Sequence, residues 1–239
     1  MIETTKYFLI GAIIGIGTAS LIYFWIRFFI LQLPKKDLKS SAELVEFNTK
    51  YYPWGFIFCF SIFIAFLADW RKLSPYFLND LLLVSSLTVI THIDLKTMYI
   101  EGRTIAFAII LRLVWIIYFE PQEMFNYLSG LFFGAGLLYL VSFFYQTLRN
   151  KQGLGDGDAA VLGLIGLWLG WKSMWTVLLI AAISGIIISV FNLFLKKKKH
   201  QNISSILKTK IAFAPFLCFG GLLLYFLKEA DYYNFREFY

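Results

Sequence analysis

Charge is what this sequence is shortest of. Asp, Glu, Lys and Arg make up 15% of the 239 residues, whereas a soluble globular chain carries about a quarter. Cysteine is nearly absent too: Cys59 and Cys218 each lie inside an apolar run, and no CxxC pair occurs. That excludes a disulfide framework and gives no zinc-ligand spacing; isolated cysteines in apolar runs read as small hydrophobes. There is no 20–50-residue repeat, no low-complexity linker, and no polar segment long enough for a second folded domain. The net charge of +7 is not accompanied by a basic patch interleaved with exposed aromatics, so nucleic-acid binding is not expected.

What is present is apolar residues in long runs, 59% of the chain, with aromatics at 20%. Runs of that kind, rather than alternation, define an all-α polytopic membrane protein. About eight transmembrane helices are expected, near 7–33, 54–69, 77–93, 104–119, 126–147, 159–171, 173–195 and 211–228. The second and sixth are short, and the sixth is expected to pack inside the bundle. The first run is too long for a signal-peptide core and no small-residue cleavage site follows it, so it reads as a retained helix. The chain reads as one membrane-embedded domain, 1–239, with 34–53 as a short first cytoplasmic loop. With both termini outside, fourteen Lys and Arg fall in cytoplasmic segments and six in external ones, the bias that sets orientation. Lys196–Lys199 then reads as a cytoplasmic anchor at the lipid surface. The aromatics suit lipid contact and interface belts.

Carboxylates inside or at the ends of membrane helices are the default functional candidates, because charge in hydrocarbon is costly. Of seven aspartates, Asp37, Asp69 and Asp231 fall in loops or near the chain end, and Asp80 reads as an interfacial polar residue beside Asn79. Asp94, Asp156 and Asp158 remain. Asp94 closes the third span and Asp158 opens the sixth, which puts both at the cytoplasmic face although 64 residues separate them. Two carboxyls a few ångströms apart share one proton. The ionised member can deprotonate water while the protonated member donates to a carbonyl oxygen, which is general acid–base hydrolysis. The pair titrates as a unit, so neither member takes a fixed role.

Gly153, Gly155 and Gly157 alternate just before Asp158, and glycine there offers positive φ and close backbone approach. GxGD reads equally from Gly153 to Asp156 and from Gly155 to Asp158. His92, two residues from Asp94, faces another way on a helix and reads as a packing residue. Arg27 and Arg112 lie inside spans and need partners or an interface to reach. No metal site or cofactor is expected. The same aspartates could serve an ion- or proton-coupled transporter, or a magnesium-assisted phosphotransferase.

Gly153–Trp171 resembles the GxGxGD motif of the type IV prepilin peptidase family, in which the acid precedes an apolar helix ending in a W-L-G-W-like string. Counting back from Gly166, Trp168 and Gly170, the matching acid is Asp158. Ile93–Ile100 is similar to the family's I-D-x-x-x-x-x-I motif, with Asp94 as the other acid, and Ile211–Gly220 to its late I-P-F-G-P-F-L string around Pro215. Gly11–Tyr23 matches the first helix weakly. The resemblance implies a GxGD aspartic endopeptidase of the bacterial cytoplasmic (inner) membrane, with Asp94 and Asp158 catalytic. Its substrates would be prepilin or pseudopilin precursors with a basic leader, its surroundings membrane lipid. Asp156 and Glu101 are expected to add negative potential that draws the leader in. The chain departs from the family in three places. It lacks the two CxxC pairs of the enlarged first loop that accompany N-methylation, Ala160 stands where a lysine is common, and Glu101 stands where a proline is common.

Overall fold

In a computed structural model of the chain, the described residues are 2–32, 54–149, 155–197 and 212–237. The expected loop 34–53, Gly153, and Lys198 and Lys199 of the basic run lie outside them. Eight α-helices and two short 3₁₀ turns occur among the described residues: α1 Ile2–Gln32, α2 Trp54–Arg71, α3 Pro75–Thr97, α4 Gly102–Phe119, α5 Met124–Arg149, α6 Asp156–Leu169, α7 Met174–Lys197 and α8 Ala214–Glu237. α1 to α5 and α7 are long and apolar enough to cross a membrane, and α6 is a shorter apolar helix. The ends of α1 and α8 run past the expected spans. A hydropathy run stops at the first charges, such as Lys6 and Lys228, whereas the backbone ladder needs only its own carbonyls. Large aromatics such as Phe58, Phe107, Phe132 and Trp175 are exposed, as lipid-facing residues are.

Within the chain the helices cluster into two compact units, Met1–Thr97 and Met98–Tyr239. In the first, α1 packs on α2 through small residues. A β-carbon on Gly11 would fall 2.9 Å from Ala65 Cα, and one on Gly15 2.7 Å from Ser61 Cα. Close backbone approach of this kind is how membrane helices associate where lipid removes the hydrophobic drive.

α2 and α3 are joined by a tight turn in which Lys72 and Leu73 both adopt positive φ, 50° and 53°. Pro75 opens α3 at a position where its missing N–H is not needed. Across this turn Arg71 Nε donates to Asp80 Oδ2 at 2.5 Å and Nη2 to Oδ1 at 3.2 Å. The Arg71 guanidinium also lies 4.9 Å from the Trp70 ring centroid. Asp80, read as an interfacial polar residue from its place near a span end, has a partner in the neighbouring helix that the sequence did not indicate. It is fully buried and paired.

In the second unit the short helix α6 sits at the centre, as expected for the sixth span. Its Val161, Leu162, Leu164 and Leu167 are fully buried. α5 closes on it glycine to glycine: a β-carbon on Gly134 would stand 2.7 Å from the Leu162 carbonyl oxygen, and one on Gly166 would overlap the Gly130 carbonyl. α8 packs on α6 and α7, with Gly221 against Ile165 and Gly220 against the Val177 carbonyl. The late motif around Pro215 is thus a packing element. Gly170, at φ 74°, ends α6 by donating its N–H to the Gly166 carbonyl at 2.8 Å.

At the α6 C-terminus Arg112 is buried. It donates to Glu120 Oε2 at 2.8 Å and lies 4.8 and 5.2 Å from the Tyr127 and Trp168 ring centroids. Lys228 donates to Ser173 Oγ at 2.5 Å and points at the Leu169 carbonyl, a cation at the negative end of a helix. Arg27 is exposed on α1.

Candidate active site

Asp94 lies in the last turn of α3, on the stripe Leu83, Leu87, Ile90, Asp94 that the helix buries. This is one face at helical spacing, and the carboxylate is 4% exposed. Thr97, one turn on, donates its hydroxyl back to the Ile93 carbonyl at 2.8 Å. Met98 then leaves the helix at φ 53°, a left-handed stop of the kind that ends helices. His92 stands edge-on to Phe56, ring centroids 4.7 Å apart, a packing contact within the first unit.

Asp158 is the third residue of α6 and is 7% exposed. Its amide donates to the Gly155 carbonyl at 3.0 Å, closing the first turn. Its Oδ2 lies back over Gly155, 3.5 Å from where a β-carbon there would stand. The carboxylate is therefore held at the helix N-terminus, where the aligned peptide dipoles favour negative charge. Asp156 begins the helix, and its backbone alone is described.

Neither Gly155 nor Gly157 takes the positive φ that glycine there would allow. Gly155 has φ −72° and ψ 135°, an extended N-cap that most residues adopt. The only positive-φ glycine among the described residues is Gly170. Gly157 is needed for space: a β-carbon there would fall 2.7 Å from Ile100 Cβ and 2.8 Å from Ile100 Cδ1. Ile100 is the last residue of the Ile93–Ile100 motif, so within the second unit the end of that motif packs on the glycine next to Asp158.

Glu101, expected to add negative potential for a leader, is buried at 4% exposure. It forms the N-cap of α4, and the Thr104 hydroxyl donates to its Oε2 at 2.7 Å. The seating of Ile100 on Gly157 and the Glu101–Thr104 hydrogen bond are the two features of this region that sequence reasoning missed. The i, i+3 spacing of Glu101 and Thr104 at a helix start was the available signal for the second. Among the described residues no group of three or more His, Cys, Asp or Glu could hold a metal ion.

The class defined by these features is an all-α polytopic membrane protein with acidic side chains buried at helix ends. Residues 81–190, which contain both Asp94 and Asp158, match the type IV leader peptidase family. Three relatives are each named "Prepilin leader peptidase/N-methyltransferase". That of Pectobacterium carotovorum subsp. carotovorum is 30% identical over 147 residues, 59% of this chain and 48% of its own length. That of Escherichia coli (strain K12) is 26% identical over 194 residues, 79% and 82%. That of Legionella pneumophila is 30% identical over 184 residues, 74% and 54%. The chain thus spans about half the length of the first and third of these relatives. No solved structure matches. The chain is similar over residues 81–190 to the type IV leader peptidase family.

Proposed function

We propose that this chain is a membrane aspartic endopeptidase that removes the basic leader from prepilin or pseudopilin precursors at the cytoplasmic face of a bacterial inner membrane. Asp94 and Asp158 form its catalytic pair. The ionised carboxylate takes a proton from water as the water oxygen adds to the scissile carbonyl carbon. The protonated carboxyl donates to the carbonyl oxygen. Collapse of the tetrahedral intermediate breaks the C–N bond: the departing nitrogen takes the proton that the first carboxylate had drawn from water, and the second carboxylate regains a proton from the gem-diol hydroxyl as the product carboxylic acid forms. No covalent enzyme intermediate and no cofactor are required.

The observation that carries this reading is the packing of Ile100 on Gly157. It joins the last residue of one acid-bearing motif to the glycine that precedes Asp158 in the other. Asp94 is six residues from Ile100, and six residues of chain reach at most about 20 Å. Asp158 adjoins Gly157. The burial of both carboxylates adds support, because buried acids are retained where their proton affinity is put to use. The names of the relatives point to the same substrates. The proposal covers leader cleavage alone.

The test is co-expression with a pilin-like precursor, following its mobility and the mass of its new N-terminus. Cleavage by wild type and none by Asp94→Asn or Asp158→Asn supports the proposal. Loss of an ion-coupled uptake in the same variants, with the precursor untouched by wild type, would instead favour a transporter.

A further inference from the structure

Glu101 is a buried acid that the hydrolytic proposal does not use. Burying a carboxylate carries a large desolvation penalty unless hydrogen bonds and favourable dipoles offset it. Both are present here: Thr104 Oγ1 donates to Oε2 at 2.7 Å, and the residue occupies the N-cap position at the positive end of α4, with no hydrogen bond from the helix amides to its side chain. The hydroxyl is buried as well, so the bond is shielded from competing water. The pair brackets the first turn of α4, whose preceding residue is Ile100. The position of Ile100 is critical, since its β-carbon occupies the space beside Gly157. A restraint on residue 101 is therefore a restraint on the side chain against which the first turn of α6 is seated.

We infer that Glu101 is a positioning residue: its carboxylate, held by Thr104, fixes the start of α4 so that Ile100 stays against Gly157 and Asp158 keeps one orientation. The inference rests on the peptidase reading for its catalytic consequence, and on geometry alone for the seating of Ile100.

The experiment uses the purified full-length protein with a pilin-like precursor and compares Glu101→Gln, Glu101→Ala, Thr104→Val and the double variant Glu101→Ala/Thr104→Val. A misplacement of the reacting group of about 1 Å can lower the rate by about 100-fold. Glu101→Ala and Thr104→Val are therefore expected to lower kcat by roughly ten- to 100-fold, with KM changed by less than about threefold. Glu101→Gln retains an acceptor for Thr104 and is expected to recover most of kcat. The double variant is expected to be no worse than the weaker single one, because the two residues act as a unit. A rise in KM with kcat intact in Glu101→Gln would overturn the inference, since it would mean the charge meets the substrate directly. Unchanged kinetics in all variants would overturn it too.

A second readout does not depend on activity. With Cys59 and Cys218 replaced by serine, cysteines placed at 100 and 157 are expected to cross-link on mild oxidation once the two segments part by about 1 Å, since ideal β-carbons there would stand 2.7 Å apart and a disulfide spans about 3.8 Å. Adding Glu101→Ala is expected to reduce the yield several-fold. An unchanged yield contradicts the positioning role even if the precursor assay fails for other reasons. Asp94→Asn and Asp158→Asn run alongside. If they cleave normally the peptidase reading fails, and the cross-link still decides the inference.

Discussion

The contact between Ile100 and Gly157 yields the sharpest expectation. Gly157→Ala adds one carbon 2.7 Å from Ile100 Cβ and 2.8 Å from Cδ1, where apolar carbons rest at about 3.5–4.0 Å. One side must move by roughly 1 Å, and overpacking of this size costs about 1–3 kcal/mol. The residue that moves with α6 is Asp158, so the effect on cleavage is expected to be larger than the effect on stability, up to about 100-fold in rate. Gly155→Ala is the control. There the nearest atom is Asp158 Oδ2 at 3.5 Å, and φ is −72°, so this variant is expected to stay within a few-fold of wild type. Ile100→Ala removes Cδ1 and Cγ1 but leaves Cβ in place. In the Gly157→Ala background it is expected to restore about tenfold, equivalent to about 1.4 kcal/mol of barrier, rather than full activity. The assay is the initial rate of precursor cleavage at matched amounts of membrane-inserted protein. Wild-type rates for Gly157→Ala, or equal damage from Gly155→Ala and Gly157→Ala, would refute the reasoning.

The remaining expectations concern the framework. Asp80→Ala strands the Arg71 guanidinium in the interior and is expected to destabilise by about 3–5 kcal/mol, whereas Arg71→Met/Asp80→Leu is expected to be near neutral; thermal unfolding in detergent reads both. Arg112→Lys keeps the charge but loses the planar fork that meets Glu120, Tyr127 and Trp168, so it lowers Tm while leaving the KM of the surviving enzyme unchanged. Gly166→Ala pushes a methyl into the Gly130 backbone, which cannot rotate away. It is expected to abolish stable accumulation of the protein, as seen by immunoblot of membranes.

Much of this fold was legible in the sequence because lipid simplifies the problem. A segment that is apolar for about 20 residues must satisfy its own backbone, and a helix is the way an unpaired segment does so. That argument located all eight helices and explained why α6 could be short. It did not locate the buried ion pairs. Asp80 lies close to a helix end, and position along a helix says nothing of what the next helix brings beside it. Its partner, Arg71, is nine residues away across a turn that only positive φ at Lys72 and Leu73 makes tight enough. Arg112 was equally opaque, since its contacts come from residues after α4, at the start of α5 and at the end of α6. Of the two properties read from the glycine string, positive φ is absent at Gly155 and Gly157, whereas close approach holds at Gly157 because Ile100 occupies the adjoining space. Only the long-range contact could show that. The burial of Glu101 was not legible for a related reason: charge in a short loop says nothing of its surroundings until the partner at i+3 is seen beside it.

The central claim is that Asp94 and Asp158 act together, and single and double substitution tests it most directly. Cleavage of a pilin-like precursor by purified wild type, Asp94→Asn, Asp158→Asn and the double variant is followed under single-turnover conditions. Residues that act as one catalytic unit are non-additive, so either single variant is expected to lose about as much as the double. Cleavage by one single variant at near wild-type rate, or single losses that multiply in the double, would contradict a shared role.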